Sequence, residues 1–155
     1  MMATEIERKF LIDLDKIGRL QNGMAIKQAY VPTSTKTAVR VRVKEGKAFL
    51  TLKGANKGAT RSEFEYAIPM ADAEAMLAEL CEGPIIDKTR YVIHHAGHDW
   101  EVDVFYGDNQ GLVVAEVEMT SEDERVALPS WVTTEVTGEV KYYNSSLLAN
   151  PYKSW

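Results

Sequence analysis

The chain has 155 residues, 45% hydrophobic and 26% charged, which excludes a disordered polypeptide and predicts a core burying roughly two-thirds of the surface that the unfolded chain exposes. Its single cysteine, Cys81, excludes a disulfide scaffold. A net charge of −5 argues against a bulk electrostatic grip on nucleic acid or an anionic membrane, and no run approaches membrane-spanning length, so a cytoplasmic protein is the expectation.

Period-two alternation dominates and predicts eight strands, at 4–12, 25–31, 37–44, 47–53, 61–68, 86–95, 99–105 and 112–119. Between the first two, 15–21 reads as a short helix with Ile17 and Leu20 inward. Glu45-Gly46 reads as a two-residue hairpin turn, and Ala96-Gly97 and the 107–111 stretch as further tight connections. Strands joined so closely must be antiparallel. A helix is predicted over 72–81, where Ala73, Met76, Leu77, Leu80 and Cys81 share one face and Gly83-Pro84 supplies the stop. Ser121 with Glu124 reads as a capping box opening a short helix through Leu128. A last helix is expected at about 142–149.

Side chains two apart on a strand share a face. The faces so defined carry charges sorted by strand. Glu5, Glu7 and Lys9 lie together, as do Arg40, Arg42 and Lys44. Arg61 shares a face with Glu63 and Glu65; Lys88 pairs with Arg90, Glu101 with Asp103, and Glu116 with Glu118. The bland reading is a sheet with one solvated face. A solvated face would interleave its signs, because like charges about 4 Å apart repel by about 4 kcal/mol at an effective dielectric near 20. Grouped carboxylates make sense when a divalent cation completes them, and grouped guanidinium and ammonium heads when a polyanion does. Eight antiparallel strands also suffice to close a barrel. With the charged faces inward, the interior becomes a polar tunnel and the apolar faces turn outward, where helix 72–81 would cover them. The expected fold class is therefore α+β: a closed eight-stranded antiparallel β-barrel with a few peripheral helices, spanning 1–155 as one domain. Arg8, out of register with Glu7 and Lys9, faces outward in an ideal strand.

Glu5-Ile6-Glu7-Arg8-Lys9 is similar to the ExExK signature of the CYTH superfamily, the triphosphate tunnel metalloenzymes. The other charged sets follow in that family's order, with Lys53 in Thr51-Leu52-Lys53-Gly54, and the ending Val136-Thr137-Gly138-Glu139 onward resembles the short bacterial members. One departure is Ala29 before Tyr30, where the family often has Gly.

The resemblance implies metal-dependent hydrolysis of inorganic triphosphate to pyrophosphate and phosphate, with Mg²⁺ or Mn²⁺ as cofactor. It implies that Lys9, Arg40, Arg42, Lys53, Lys88 and Arg90 hold the phosphate chain, and that Glu5, Glu7 and Lys53 are catalytic. Glu5 and Glu7 would bind metal with one or more of Glu63, Glu65, Glu101, Asp103, Glu116 and Glu118. A metal-activated water attacking a terminal phosphorus is the expected step. The partner is then a small triphosphate, with neither nucleic acid nor membrane, and the apolar outer walls leave room for a homodimer. Lys141 and Tyr142 are expected at a tunnel mouth, and Tyr30 is either an entrance contact or a packing aromatic. The alternatives are an adenylate cyclase, a nucleoside or thiamine triphosphatase on the same barrel, or a non-catalytic polyphosphate-binding module. His94, His95 and His98 read as a solvated hairpin tip, and Cys81 as packing.

Overall fold

The computed structural model describes residues 4–155. Its strands are β1 (Thr4–Ile12), β2 (Met24–Val31), β3 (Ala38–Lys44), β4 (Lys47–Lys53) and β5 (Thr60–Ile68), then β6 (Glu82–His95), β7 (His98–Phe105), β8 (Val113–Glu118) and β9 (Val132–Glu135). The first eight close into an antiparallel barrel in the order β1-β5-β4-β3-β2-β6-β7-β8 and back to β1. Strand β1 makes the closure. One edge follows β8 from Glu7↔Glu118 to Leu11↔Val114. The other edge meets β5 at its start, with Glu5 opposite Arg61, and β9 at its end, with Phe10 opposite Glu135. The period-two pattern thus yields the expected fold.

Two hairpins carry the expected turn chemistry. Glu45 and Gly46 have φ of 50° and 74°, and Ala96 and Gly97 have 49° and 84°. Paired positive φ values match the twist of antiparallel strands, and glycine takes the second position without strain.

Helices depart further from expectation. Helix α1 (Leu14–Ile17) is a single turn capped by the Asp13 carboxylate, which accepts from the Asp15 N–H at 3.0 Å. Helix α2 (Met70–Glu79) starts and stops two residues before the predicted span, directly after Pro69. Leu80 therefore falls beyond it and is exposed, not on the buried face. Gly83-Pro84 does not stop the helix; it lies inside β6, where the β2–β6 register shifts between Gln28 and Tyr30. A bulge spares proline a ladder hydrogen bond, so proline is tolerated there. The predicted helix after Ser121 is one turn only: the Glu124 N–H reaches the Ser121 carbonyl at 3.2 Å, and the Glu124 carboxylate caps the Thr120 N–H at 2.6 Å. The expected C-terminal helix is a run of 3₁₀ turns at Val140–Tyr142, Asn144–Leu148 and Tyr152–Ser154. Its aromatic, Ser, Asn and β-branched residues are weak helix formers, and i→i+3 bonds suit short pieces. Strand β9 escaped the sequence reading because Val132-Thr133-Thr134-Glu135 has no apolar alternation.

Three apolar clusters pack the barrel. Outside, α2 lays Ala73, Met76 and Leu77 on Val41, Val43, Ala48 and Leu50 of β3 and β4. Cys81 packs beside them, as expected. A second outer cluster joins Phe10, Trp100, Val102, Ala115 and Val117 to Trp131, which sits just before β9. Trp100 is fully buried, its ring 5.5 Å from both Phe10 and Trp131, and Ile17 of α1, Val126 and Val132 of β9 pack against this cluster. The third cluster lies on the inward faces. Ile86, Phe105 and Val114 continue the rows of Lys88, Asp103 and Glu116, and Val136, Tyr142 and Leu147 of the C-terminal segment close over them. The barrel interior is thus charged over part of its length and stoppered by apolar side chains at one end. Among the described residues, no helix is long and apolar enough to cross a membrane.

Candidate active site in the charged bore

The charged strand faces line a cavity of about 270 Å³ inside the barrel. Strands β3 and β6 place Arg40, Arg42, Lys44, Lys88 and Arg90 around it. Strands β1, β5, β7 and β8 place Glu5, Glu7, Glu63, Glu65, Glu101, Glu116 and Glu118 there, with Lys9, Lys53 and Arg61 interspersed. Every residue that the sequence implied as a catalytic, phosphate-binding or metal-binding group lines this space except Asp103.

The basic wall is held by a few buried acceptors. Asp103, 1% exposed, takes Lys88 Nζ at 2.7 Å and Arg90 Nε and Nη2 at 2.8 and 2.9 Å. Both of its oxygens are thereby engaged behind the cations, which sets it apart from the other acids. Burial would raise its carboxyl, but Lys88 and Arg90 hold it below the usual carboxylate range. Arg90 also reaches Glu101 at 3.1 Å. Burial, with Arg90 and Arg42 close by, pushes the Lys88 ammonium down to about 7, against the pull of Asp103. Arg42 donates to Gln28 Oε1 at 2.7 Å; burial and the charges of Arg40 and Arg90 lower it to about 10. Arg40 meets Thr51 Oγ1 at 3.2 Å and Glu65 at 3.5 Å, and among the described residues its buried Nε has no partner. These guanidinium groups retain donors for an anion.

The acidic wall crowds its carboxylates. Lys53 bridges Glu5 at 3.2 Å and Glu63 at 2.9 Å, and Arg61 stands 3.5 Å from Glu5. Burial opposes ionisation of Glu5, but hydrogen bonding with Glu63 and the Lys53 charge hold it at about 2. Glu63 moves up, from burial and its shared bond with Glu5. Glu7 is raised well above the carboxylate range, first by burial and then by the charge and hydrogen bond of Glu116. Glu116 moves the other way: Lys9, 3.4 Å off, and the bond from Glu7 outweigh its burial. Glu118 is raised by burial and by Glu5 and Glu101. Crowding of Glu7 against Glu116 thus opposes the charged form of Glu7, while Lys9 favours that of Glu116. Among the described residues no three His, Cys, Asp or Glu side chains converge on one point, because the acids lean on lysines and arginines. The donor set itself, hard carboxylate oxygens in excess around Glu7, fits a hard divalent cation.

Several bore residues were not singled out as site residues from the sequence. Arg61 and Lys44 were legible in the i, i+2 pattern. Tyr143, Asn144 and Ser145 were not, because only the fold brings the C-terminal segment to the bore. Lys141 and Tyr142, expected at the mouth, do otherwise. Lys141 lies over the Trp155 ring at 4.5 Å, and the Tyr142 side chain joins the stopper while its carbonyl accepts from Lys9 Nζ at 3.2 Å. Tyr30 lines the bore and its hydroxyl accepts from Gln28. Arg8 faces outward, as expected, and pairs with Glu135 at 2.8 Å. His94 pairs with Asp99 at the exposed tip, and His98 contacts Glu124.

Fold and site together define a tunnel-type barrel: closed, antiparallel and charged within. The sequence model of the CYTH domain matches residues 3–152, and the chain belongs to the CYTH family. It is similar to the inorganic triphosphatase of Acetivibrio thermocellus, with 44% identity over 154 residues covering 99% of each chain. It is also similar to the inorganic triphosphatase of Nitrosomonas europaea, with 38% identity over 148 residues, covering 93% of this chain and 96% of that one. A crystal structure of an inorganic triphosphatase superposes with a TM-score of 0.66 at 33% identity, covering 93% of this chain and 97% of the other.

Proposed function

We propose that the chain is a divalent-metal-dependent triphosphatase that hydrolyses inorganic triphosphate to pyrophosphate and phosphate in the bore. The observation that carries this reading is the sorting of charge across a narrow cavity inside the closed barrel, with Arg40, Arg42, Lys88 and Arg90 on one side and Glu5, Glu7, Glu116 and Glu118 on the other. Such a space takes a thin polyanion along one wall and a cation along the other. The family and its full-length relatives named inorganic triphosphatase support the same substrate.

In this reading Arg40, Arg42, Lys88 and Arg90 bind the phosphate chain, with Lys9 reaching it from β1. Phosphoryl transfer needs positioning and charge stabilisation above all, and buried guanidinium groups supply both. Lys53, between Glu5 and Glu63, keeps Glu5 ionised and offers an ammonium beside the phosphates. Glu5 and Glu7, with Glu116 and Glu118 across the β1–β8 ladder, hold Mg²⁺ or Mn²⁺. Bound there, such a cation neutralises phosphate charge and acidifies the attacking water. The bore lines seven acids against eight bases, so a polyanion entering alone meets little net positive charge; an accompanying cation restores the balance. Asp103 is a positioning carboxylate for Lys88 and Arg90, not a metal ligand. Residues 1–155 form one such tunnel domain, and a cytoplasmic setting completes the reading.

The test incubates the protein with inorganic triphosphate, ATP or thiamine triphosphate, each with Mg²⁺ or Mn²⁺. Phosphate release confined to inorganic triphosphate is expected. Cyclic AMP from ATP would replace this reading with a cyclase, and binding without turnover would replace it with a polyphosphate-binding module.

A further inference from the structure

Asn144 stands where the C-terminal segment meets the basic wall. Its Oδ1 accepts from Lys88 Nζ at 2.9 Å and from Gln28 Nε2 at 3.1 Å. Gln28, fully buried, in turn accepts from Arg42 Nε at 2.7 Å. Lysine and arginine only donate, so the orientation of both amides is chemically fixed: each oxygen must face its cation. The Asn144 Nδ2 is then directed away from Lys88 and Gln28. Asn144 lines the bore, and among the described residues its Nδ2 has no hydrogen-bond partner. Asn144 is half-buried on the bore wall, so its two open N–H donors are available to an acceptor that enters the cavity. The segment is also firmly seated. Leu147 and Tyr142 flank Asn144 in the apolar stopper, and the Tyr142 carbonyl accepts from Lys9.

Resting on the triphosphate reading above, we propose that Asn144 contacts substrate directly: held through Oδ1 by Lys88 and Gln28, it donates through Nδ2 to an oxygen of inorganic triphosphate lying between Arg42 and Lys88. The C-terminal segment is thus part of the binding site. A neutral donor at this place adds a contact to the phosphate chain without adding to the repulsion among Arg42, Lys88 and Arg90.

The variants Asn144→Ala and Asn144→Asp separate this from a propping role. Aspartate keeps the shape and the acceptor for Lys88 and Gln28, but it cannot donate and it repels phosphate. Each protein is titrated calorimetrically, with Mg²⁺ present, with a methylene-bridged analogue of inorganic triphosphate that cannot be hydrolysed, and thermal unfolding is followed alongside. Asn144→Ala is expected to weaken binding about tenfold, as for a lost charge-assisted hydrogen bond, and Asn144→Asp by more, with KM for inorganic triphosphate rising more than kcat falls. Asn144→Asp binding as tightly as the parent overturns the proposal, because a prop for Lys88 survives that change; so does Asn144→Ala binding like the parent. Should Asn144→Ala not fold, the isosteric Asn144→Asp still decides. A parent that binds no analogue overturns the triphosphate reading itself, and this contact with it.

Discussion

On the wall formed by β3, β2 and β6, the cations sit on fixed neutral or anionic supports: Arg90 and Lys88 on Asp103, Arg42 on Gln28, Arg40 on Thr51. On the wall formed by β8, β1 and β5, the carboxylates crowd one another, and burial with the nearby Glu116 charge raises the Glu7 carboxyl well above the usual range. One wall is organised before any ligand arrives. The other is left with a surplus of negative charge that an incoming cation would settle. The difference teaches where each wall stores its cost. The basic wall depends on buried partners for its stability, and the acidic wall on what binds it.

The largest effect expected from that contrast is at Asp103. Asp103→Asn leaves Lys88 and Arg90 buried beside a neutral amide. Breaking a buried ion pair from one side costs on the order of 3–5 kcal/mol, so the urea unfolding midpoint should fall sharply. An unchanged or raised midpoint in metal-free buffer would return Asp103 to the set of metal ligands that the sequence implied. The acidic wall should answer differently. Glu5→Gln is expected to lower kcat at least about tenfold, which is about 1.4 kcal/mol of barrier, and to weaken the dependence on Mg²⁺ or Mn²⁺. Metal-free protein should also release protons when either ion is added at mildly acidic pH, because burial and Glu116 raise the Glu7 carboxyl well above the usual carboxylate range and a bound cation favours its charged form. Calorimetry in buffers of different ionisation enthalpy counts those protons; none released would mean that Glu7 is not displaced by metal.

The sequence carried most of this because alternation and sign were both legible. Strand faces such as Glu116/Glu118 and Arg40/Arg42 can be read from i, i+2 spacing, and every one of those side chains does line the bore. Spacing does not tell how far in a side chain stands. Asp103 reads like Glu101, two residues before it, yet its shorter side chain tucks behind Lys88 and Arg90 while Glu101 reaches the cavity. Nor does spacing show what a distant segment delivers. Asn144 and Tyr143 come to the bore through the seating of Tyr142 and Leu147 in the stopper, a tertiary event. The helices failed for local reasons: Pro84 was absorbed by a bulge, and Glu124 caps Thr120 without a helix following.

A smaller effect concerns pH. Lys88 has its ammonium lowered to about 7 by burial and by its cationic neighbours. An unfolded lysine titrates near 10.4, so between about pH 7 and that value the unfolded chain binds more protons at this site. This group therefore makes the fold gain stability as pH rises through that window. Substrate binding runs the other way, because phosphate needs the charged form. The value of kcat/KM is expected to fall severalfold from about pH 6.5 to about pH 8.5, since that ratio reports the free enzyme. Lys88→Arg should flatten the alkaline side. A profile unchanged by that substitution would place the controlling ionisation elsewhere.

The smallest effect marks the boundary of the comparison, at the one cation of the ExExK run that points away from both walls. Arg8 pairs with Glu135 on the outside of β1, where both side chains are partly exposed, and stacks 5.0 Å over Phe10. Water and salt screen such a pair, and its worth is about 0.2–1 kcal/mol. Arg8→Ala should lower the unfolding midpoint slightly, less so at high salt, and leave kcat and KM where they were. Its immediate neighbour Lys9, on the opposite face, contacts Glu116 and the Tyr142 carbonyl inside the bore. Lys9→Ala should raise KM well beyond any change seen at Arg8. Equal kinetic losses at the two positions would mean that strand facing does not decide which charges reach the substrate.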